Sequence, residues 1–154
     1  MTQRPSPPEP PALEAHLGFW LRFLSNHVSD RFRRLLEAQG VSVTEWVALR
    51  TLWVRAGSGH AELIQALGMT KGAASKVVSR LEAKGLAERQ TGGGREQGLV
   101  LTPAGRALVP RLAAAADAND EHFFGHLPAA ERQALQDTLR ALVHHHRLKV
   151  IPTS

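Results

Sequence analysis

Residues 70–85 read T-K-G-A-A-S-K-V-V-S-R-L-E-A-K-G. Ala74, Val77, Val78 and Leu81 fall at i, i+3, i+4 and i+7, the spacing of one buried stripe on a helix. Thr70 offers a side-chain oxygen to the orphan N–H groups at the start, and Gly85 suits the left-handed residue that ends such a helix. The other face carries Lys71, Gly72, Ala73, Ser75, Lys76, Ser79 and Arg80, small or hydroxylated groups with three cations and no acid. A face of this kind can approach a phosphate backbone closely and offer short donors to base edges in a major groove. Taken alone, the pattern equally fits a solvated amphipathic helix. The flanking sequence decides between the two.

Upstream, His60 to Leu67 reads as a short helix with Gly59 at its N-cap and Leu63, Ile64 and Leu67 inward. Gly68-Met69-Thr70 makes a three-residue turn into the first stretch, and two short helices joined in this way form a helix-turn-helix. Ser42-Val43-Thr44-Glu45 has the form of a capping box. It opens a helix predicted to carry Trp46, Leu49, Leu52 and Trp53 inward and to stop at Gly57. Before it, a helical pattern runs from about Pro11 to Gln39 through Leu13, Leu17, Trp20, Leu21, Leu24, Val28, Phe32, Leu35 and Leu36. As one helix it would reach roughly 40 Å, more than one small domain covers, so a second subunit is the expected partner. Gly40 ends it.

Downstream the period changes. Leu86 to Thr91 and Gln97 to Leu101 read as short strands around Gly92-Gly93-Gly94-Arg95, a hairpin tip with unusual freedom. Such a tip is compatible with a loose surface loop and also with an arginine entering a narrow minor groove. Thr102-Pro103 starts a helix with Pro103 at N1, and Leu108, Leu112, Ala115, Ala116 and Phe123 continue its stripe, with strain or a kink expected at Pro110. Residues Gly125 to Pro128 break the chain. A last helix, about Ala129 to Lys149, is predicted to bury Leu135, Leu139, Leu142 and Val143.

Composition narrows the function. The 154 residues carry a formal charge of +5, compatible with a polyanionic partner, and no cysteine. Disulfides, thiolate metal sites and thiol redox sensing are thereby excluded. No apolar run has the length of a membrane span, and the proline-rich start lacks the apolar core of a secretory signal, so a cytoplasmic location is expected. Pro5 to Pro11 contain five prolines, which predicts an extended arm over residues 1–11. His122 and His126 are four apart and His144-His145-His146 are adjacent, but no completing carboxylate or cysteine cluster accompanies them, so no metal and no cofactor is expected. Motifs such as H-E-x-x-H, G-x-S-x-G and phosphate-cradling loops are absent, which argues against an enzyme.

The order of parts, with L-I-Q-A-L-G-M-T-K-G-A-A-S-K-V-V-S-R-L-E-A-K-G-L-A-E-R at 63–89 and L-V-L-T-P-A-G at 99–105, resembles the MarR family of bacterial transcription regulators. The resemblance runs from about Leu13 onward. It implies a mainly α fold (an α+β winged helix-turn-helix) with 41–102 as the DNA-binding domain and 12–40 plus 103–150 as a helical dimerisation region. It further implies a homodimer on a pseudo-palindromic double-stranded DNA operator, with Lys71, Gly72, Ser75, Lys76, Ser79 and Arg80 at the major groove and Arg95 at the wing tip. Family wings commonly carry D-x-R, whereas Gly93-Gly94-Arg95 stands here, leaving Arg95 without its bracing carboxylate. A small aromatic or acidic effector is the family's usual control, and His16, Trp20, Phe23, Trp46 and Trp53 are its candidate contacts, although these aromatics also fit ordinary core packing. The rival reading is a winged helix serving only as a protein-interaction or dimer scaffold.

Overall fold

A computed structural model describes residues 6–57, 59–90 and 98–149. A 3-10 turn at Leu13–Ala15 precedes α1 (Leu17–Glu37), α2 (Val43–Val54), α3 (His60–Leu67) and α4 (Lys71–Ala83). Strands β1 (Ala87–Arg89) and β2 (Leu99–Leu101) follow, then α5 (Pro103–Phe124) and α6 (Ala129–His145). The fold class is the one expected, a mainly α winged helix-turn-helix with long terminal helices.

The predicted run from Pro11 to Gln39 is not one helix. His16 is extended at φ −99°, ψ 126°, which separates the 3-10 turn from α1 and leaves 21 residues, roughly 31 Å. The Trp20 indole N–H donates to the Glu14 carbonyl at 2.9 Å and folds the turn back over the helix start. Gly40, at φ +82°, reverses the chain after α1. Ser42 Oγ then accepts from the Glu45 amide at 3.2 Å, the first half of the expected capping box. The Glu45 carboxylate does not serve as that box implies; it is buried and bonded to Lys84 at the end of α4.

The helix-turn-helix forms where it was predicted. Gly68 adopts the left-handed conformation at φ +61°, and Thr70 caps α4 by accepting from the Ala73 amide at 3.3 Å. All four stripe residues, Ala74, Val77, Val78 and Leu81, are buried with Leu63 and Leu67 of α3 and Leu49 and Leu52 of α2. Full burial of a Val or Leu side chain contributes about 1.5–3 kcal/mol, so this face fixes α4 firmly to the body.

The wing is an antiparallel pair with Ala87 opposite Leu101 and Arg89 opposite Leu99. Among the described residues Leu86, Gln90 and Gly98 stand outside the strands, and Thr91, Gly92 to Arg95 and Gln97 lie outside the described residues. The Gly57 amide donates to the Leu99 carbonyl at 3.1 Å, so the loop after α2 covers the free edge of β2. Thr102 caps α5 through the Gly105 amide at 3.1 Å, with Pro103 at N1, and the helix continues through the exposed Pro110 to Phe124 without ending there.

Burial departs from the expected inward faces on α2 and α6, while α1 leaves much of its stripe uncovered. Trp53 faces outward at 40% exposure, because α2 turns Glu45, Ala48, Leu49 and Leu52 to the core. Of the α1 stripe only Leu36 is buried; Leu17, Trp20, Leu21, Phe23 and Leu24 are exposed. No residue of α6 is buried, and Leu135, Leu139, Leu142 and Val143 all face outward. A single chain leaves the N-terminal half of α1 and all of α6 largely uncovered.

Candidate nucleic-acid interface

Helical geometry sorts the outward side chains of α4 into two adjoining i, i+4 rows. Gly72, Lys76 and Arg80 form one, and Lys71, Ser75 and Ser79 form the other. All are exposed except Ser75, which is half-buried. The rows span about 12–14 Å of helix axis, close to the roughly 12 Å width of a B-form major groove. Nothing lies within 4 Å of the position a Cβ would take on Gly72, so that part of the face is open to close approach.

The charge pattern is equally directional. The one acid of α4, Glu82, is met by Arg89 of β1, whose Nε lies 3.1 Å from Glu82 Oε1. That pair joins the helix to the base of the wing and removes a negative charge from beside Ser79. Lys71, Lys76 and Arg80 therefore dominate the face, and cations on short-toothed helices make both phosphate and base-edge contacts. The tip residue Arg95 lies outside the described residues.

The five aromatic and histidine candidates for an effector do not form one described cluster. His16, Trp20 and Phe23 lie on the exposed start of α1, where Phe19 packs edge-on against Trp20 and Phe23 lies over His27 at 5.2 Å between ring centres. Trp46 is half-buried and lines an open cleft of about 330 Å³ with Val47, Arg50, Thr51, Val54 and Arg55. Its apolar wall beside two guanidinium groups has the chemistry to hold an aromatic anion. Among the described residues no three His, Asp or Glu side chains converge as metal ligands would.

Two polar connections escaped the sequence reading. Lys84 Nζ lies 2.6 Å from Glu45 Oε2 and 2.8 Å from the Gly40 carbonyl oxygen, linking the end of α4 to the α1–α2 junction. Asn119, buried in α5, accepts from Arg31 at 3.1 Å and donates to the Val28 carbonyl at 3.1 Å, linking α5 to α1. The second had a visible signal, since Asn119 continues the apolar stripe of Leu112, Ala115 and Ala116, where a polar group must find partners.

Comparison with known proteins agrees with this geometry. The MarR family model matches residues 39–97, the stretch from the end of α1 to the wing. An HTH-type transcriptional repressor of Mycobacterium tuberculosis is 29% identical over 131 residues, covering 84% of this chain and 94% of the relative. A crystal structure of a MarR family protein from the same organism, in complex with salicylic acid, is 29% identical with a TM-score of 0.66, covering 82% of this chain and 96% of that one. BpsR of Bordetella bronchiseptica, whose DNA binding is regulated by 6-hydroxynicotinic acid, is 25% identical with a TM-score of 0.73, covering 88% and 99%. These relatives are regulators rather than enzymes, and no helix among the described residues is long and apolar enough to cross a membrane. With its cationic α4 face set in a winged helix-turn-helix, the chain resembles DNA-binding transcription regulators of the MarR family, by the family model over residues 39–97 and by these relatives over most of its length.

Proposed function

We propose that the chain is a homodimeric, cytoplasmic repressor that binds a pseudo-palindromic operator and is released by a small aromatic or acidic effector. The observation that carries the reading is the pair of rows on α4, cationic and acid-free, held on a rigid core. Lys71, Gly72, Ser75, Lys76, Ser79 and Arg80 enter the major groove, and Arg95 reaches the adjoining minor groove. Two copies engage half-sites about one helical turn, roughly 34–36 Å, apart.

Residues 12–40 and 103–150 form the dimerisation region in this reading, and 41–102 the DNA-binding domain. The uncovered apolar faces of α1 and α6 support it, since leaving Leu17, Trp20, Leu21, Leu139 and Leu142 in water forfeits the hydrophobic gain a second copy supplies. The effector part is supported by the salicylic acid complex and by the 6-hydroxynicotinic acid control described for the two relatives. In this chain the cleft beside Trp46, with Arg50 and Arg55, suits the same chemistry. His16, Trp20 and Phe23 then contribute from the face of α1 that dimerisation brings in, and Trp53 from the exposed side of α2. An effector acts by binding the released arrangement more tightly than the DNA-bound one.

A purely scaffolding winged helix would carry apolar anchors on the exposed side of α4, and the residues there are Lys, Ser, Arg and Gly. The test is selection of duplexes from a randomised pool, followed by sedimentation of the complex. Enrichment of a pseudo-palindrome bound by two chains is expected. Failure to enrich any sequence at moderate salt refutes the proposal.

A further inference from the structure

The base of α4 is gripped by three consecutive residues. Lys84, its C-cap, sends its ammonium to Glu45 Oε2 at 2.6 Å and to the Gly40 carbonyl at 2.8 Å. Gly40 closes the turn after α1, and Glu45 lies in the first turn of α2 with its side chain only 4% exposed. The next carbonyl, that of Gly85, accepts from Thr102 Oγ1 at 2.5 Å, and the Leu86 carbonyl accepts from the Thr102 amide at 3.1 Å. One end of the recognition helix is thus bonded to the ends of α1, α2 and α5 together.

The two kinds of contact on α4 do different work. Burial of its apolar stripe holds α4 to the body but, being non-directional, sets the strength of attachment more than the exact angle. A charge-assisted hydrogen bond to a buried carboxylate is directional and constrains that angle. The position of Lys84 agrees with that division, because it lies about 80° round the helix axis from Lys76, turned from the exposed face toward the body.

We propose that Lys84 and Glu45 are positioning residues for DNA binding. Their bond fixes the angle at which α4 leaves the α1–α2 junction, and therefore the separation of the two recognition helices in the dimer. Lys84 itself makes no phosphate contact. The inference rests on α4 being the element that enters the groove.

The experiment uses the full chain and a duplex selected from a randomised pool by the wild-type protein, with derivatives carrying one base pair more or fewer between half-sites. Lys84→Met, assayed as a folded dimer well below its melting temperature, is expected to bind about tenfold more weakly, within the range of coupled sites. Its log–log salt slope stays that of wild type, and its preference for the native spacing narrows. A stability role alone would lower the melting temperature and leave affinity and spacing preference untouched. Should Lys84→Met not fold, Glu45→Gln combined with Lys84→Met removes both charges and leaves no unpaired buried charge, and the same readouts apply. A slope reduced by about 0.9 identifies a direct phosphate contact and overturns the proposal. So does unchanged affinity with unchanged spacing preference in either variant. A wild-type protein that enriches no duplex overturns the DNA reading and this inference with it, whereas enrichment by wild type beside unaltered variants overturns the positioning role alone.

Discussion

Gly105 sits in the first turn of α5, where alanine would ordinarily favour a helix by up to about 1 kcal/mol. Here its Cβ would overlap the Leu86 carbonyl oxygen, and lie 3.1 Å from that carbonyl carbon and 3.3 Å from Leu101 Cδ2. The nearest obstacle is backbone, so no rotamer change relieves the overlap. Recovering an ordinary contact of 3.4 Å requires α5 and the segment after α4 to part by about 1.3 Å. That separation breaks the bond from the Thr102 amide to Leu86 and the bond from Thr102 Oγ1 to Gly85. Two hydrogen bonds at about 1 kcal/mol each, with overpacking of about 1–3 kcal/mol, less the helix gain, leave a net loss of roughly 2–4 kcal/mol for Gly105→Ala. For a chain of this size the melting temperature should fall by roughly 5–15 °C. Calorimetry at one fixed protein concentration measures it, so that self-association weighs equally on both proteins. Gly18→Ala, where nothing lies within 4 Å, is the control and should melt at or slightly above wild type. A Gly105→Ala protein as stable as wild type would refute the packing argument.

Other substitutions test the remaining connections. Leu139→Asp combined with Leu142→Asp puts two charges on the uncovered face of α6; a monomeric mass by sedimentation and loss of operator binding are expected, and an intact dimer would contradict the assignment of that face. Asn119→Ala removes the partner of Arg31 and should lower stability by about 1–3 kcal/mol in denaturant titration. The hydrogen bond from Arg33, reinforced by the charge of Arg34, holds the Asp30 carboxyl below its ordinary value of 3.8. A depressed carboxylate stabilises above its unfolded pKa and loses that contribution as pH falls through the folded one, so Asp30→Asn should lower stability slightly at neutral pH and flatten the acid limb below about pH 4, the two proteins converging at low pH.

The parts legible in the sequence were those fixed by local chemistry. Thr70, Gly68, Gly85 and Thr102 act at the predicted caps and turns, because caps depend on one residue and its neighbours. The stripe of α4 was readable because a polar face stands opposite it. On α2, by contrast, Val43, Trp46, Val47, Leu49, Leu52, Trp53 and Val54 spread apolar groups round the helix, so its pattern does not show that Trp53 faces outward. The break at His16 was hidden because Leu13 and Leu17 keep helical spacing across it. Glu45 had a local role as a capping acid, and only the tertiary arrangement reveals that Lys84, distant in sequence, claims it. The burial expected on α6 failed within one chain for a related reason: periodicity reports that a face is apolar and leaves its partner unnamed.

Contact between the exposed rows of α4 and DNA underlies the whole proposed function. Fluorescence anisotropy of Lys76→Ala combined with Arg80→Ala against the selected operator, across a salt series, tests it most directly. The two substitutions are expected to leave dimer mass and melting temperature unchanged, to abolish specific binding, and to reduce the salt slope by about 0.9 for each phosphate no longer neutralised. A double variant that binds the operator with wild-type affinity and wild-type slope would contradict the account.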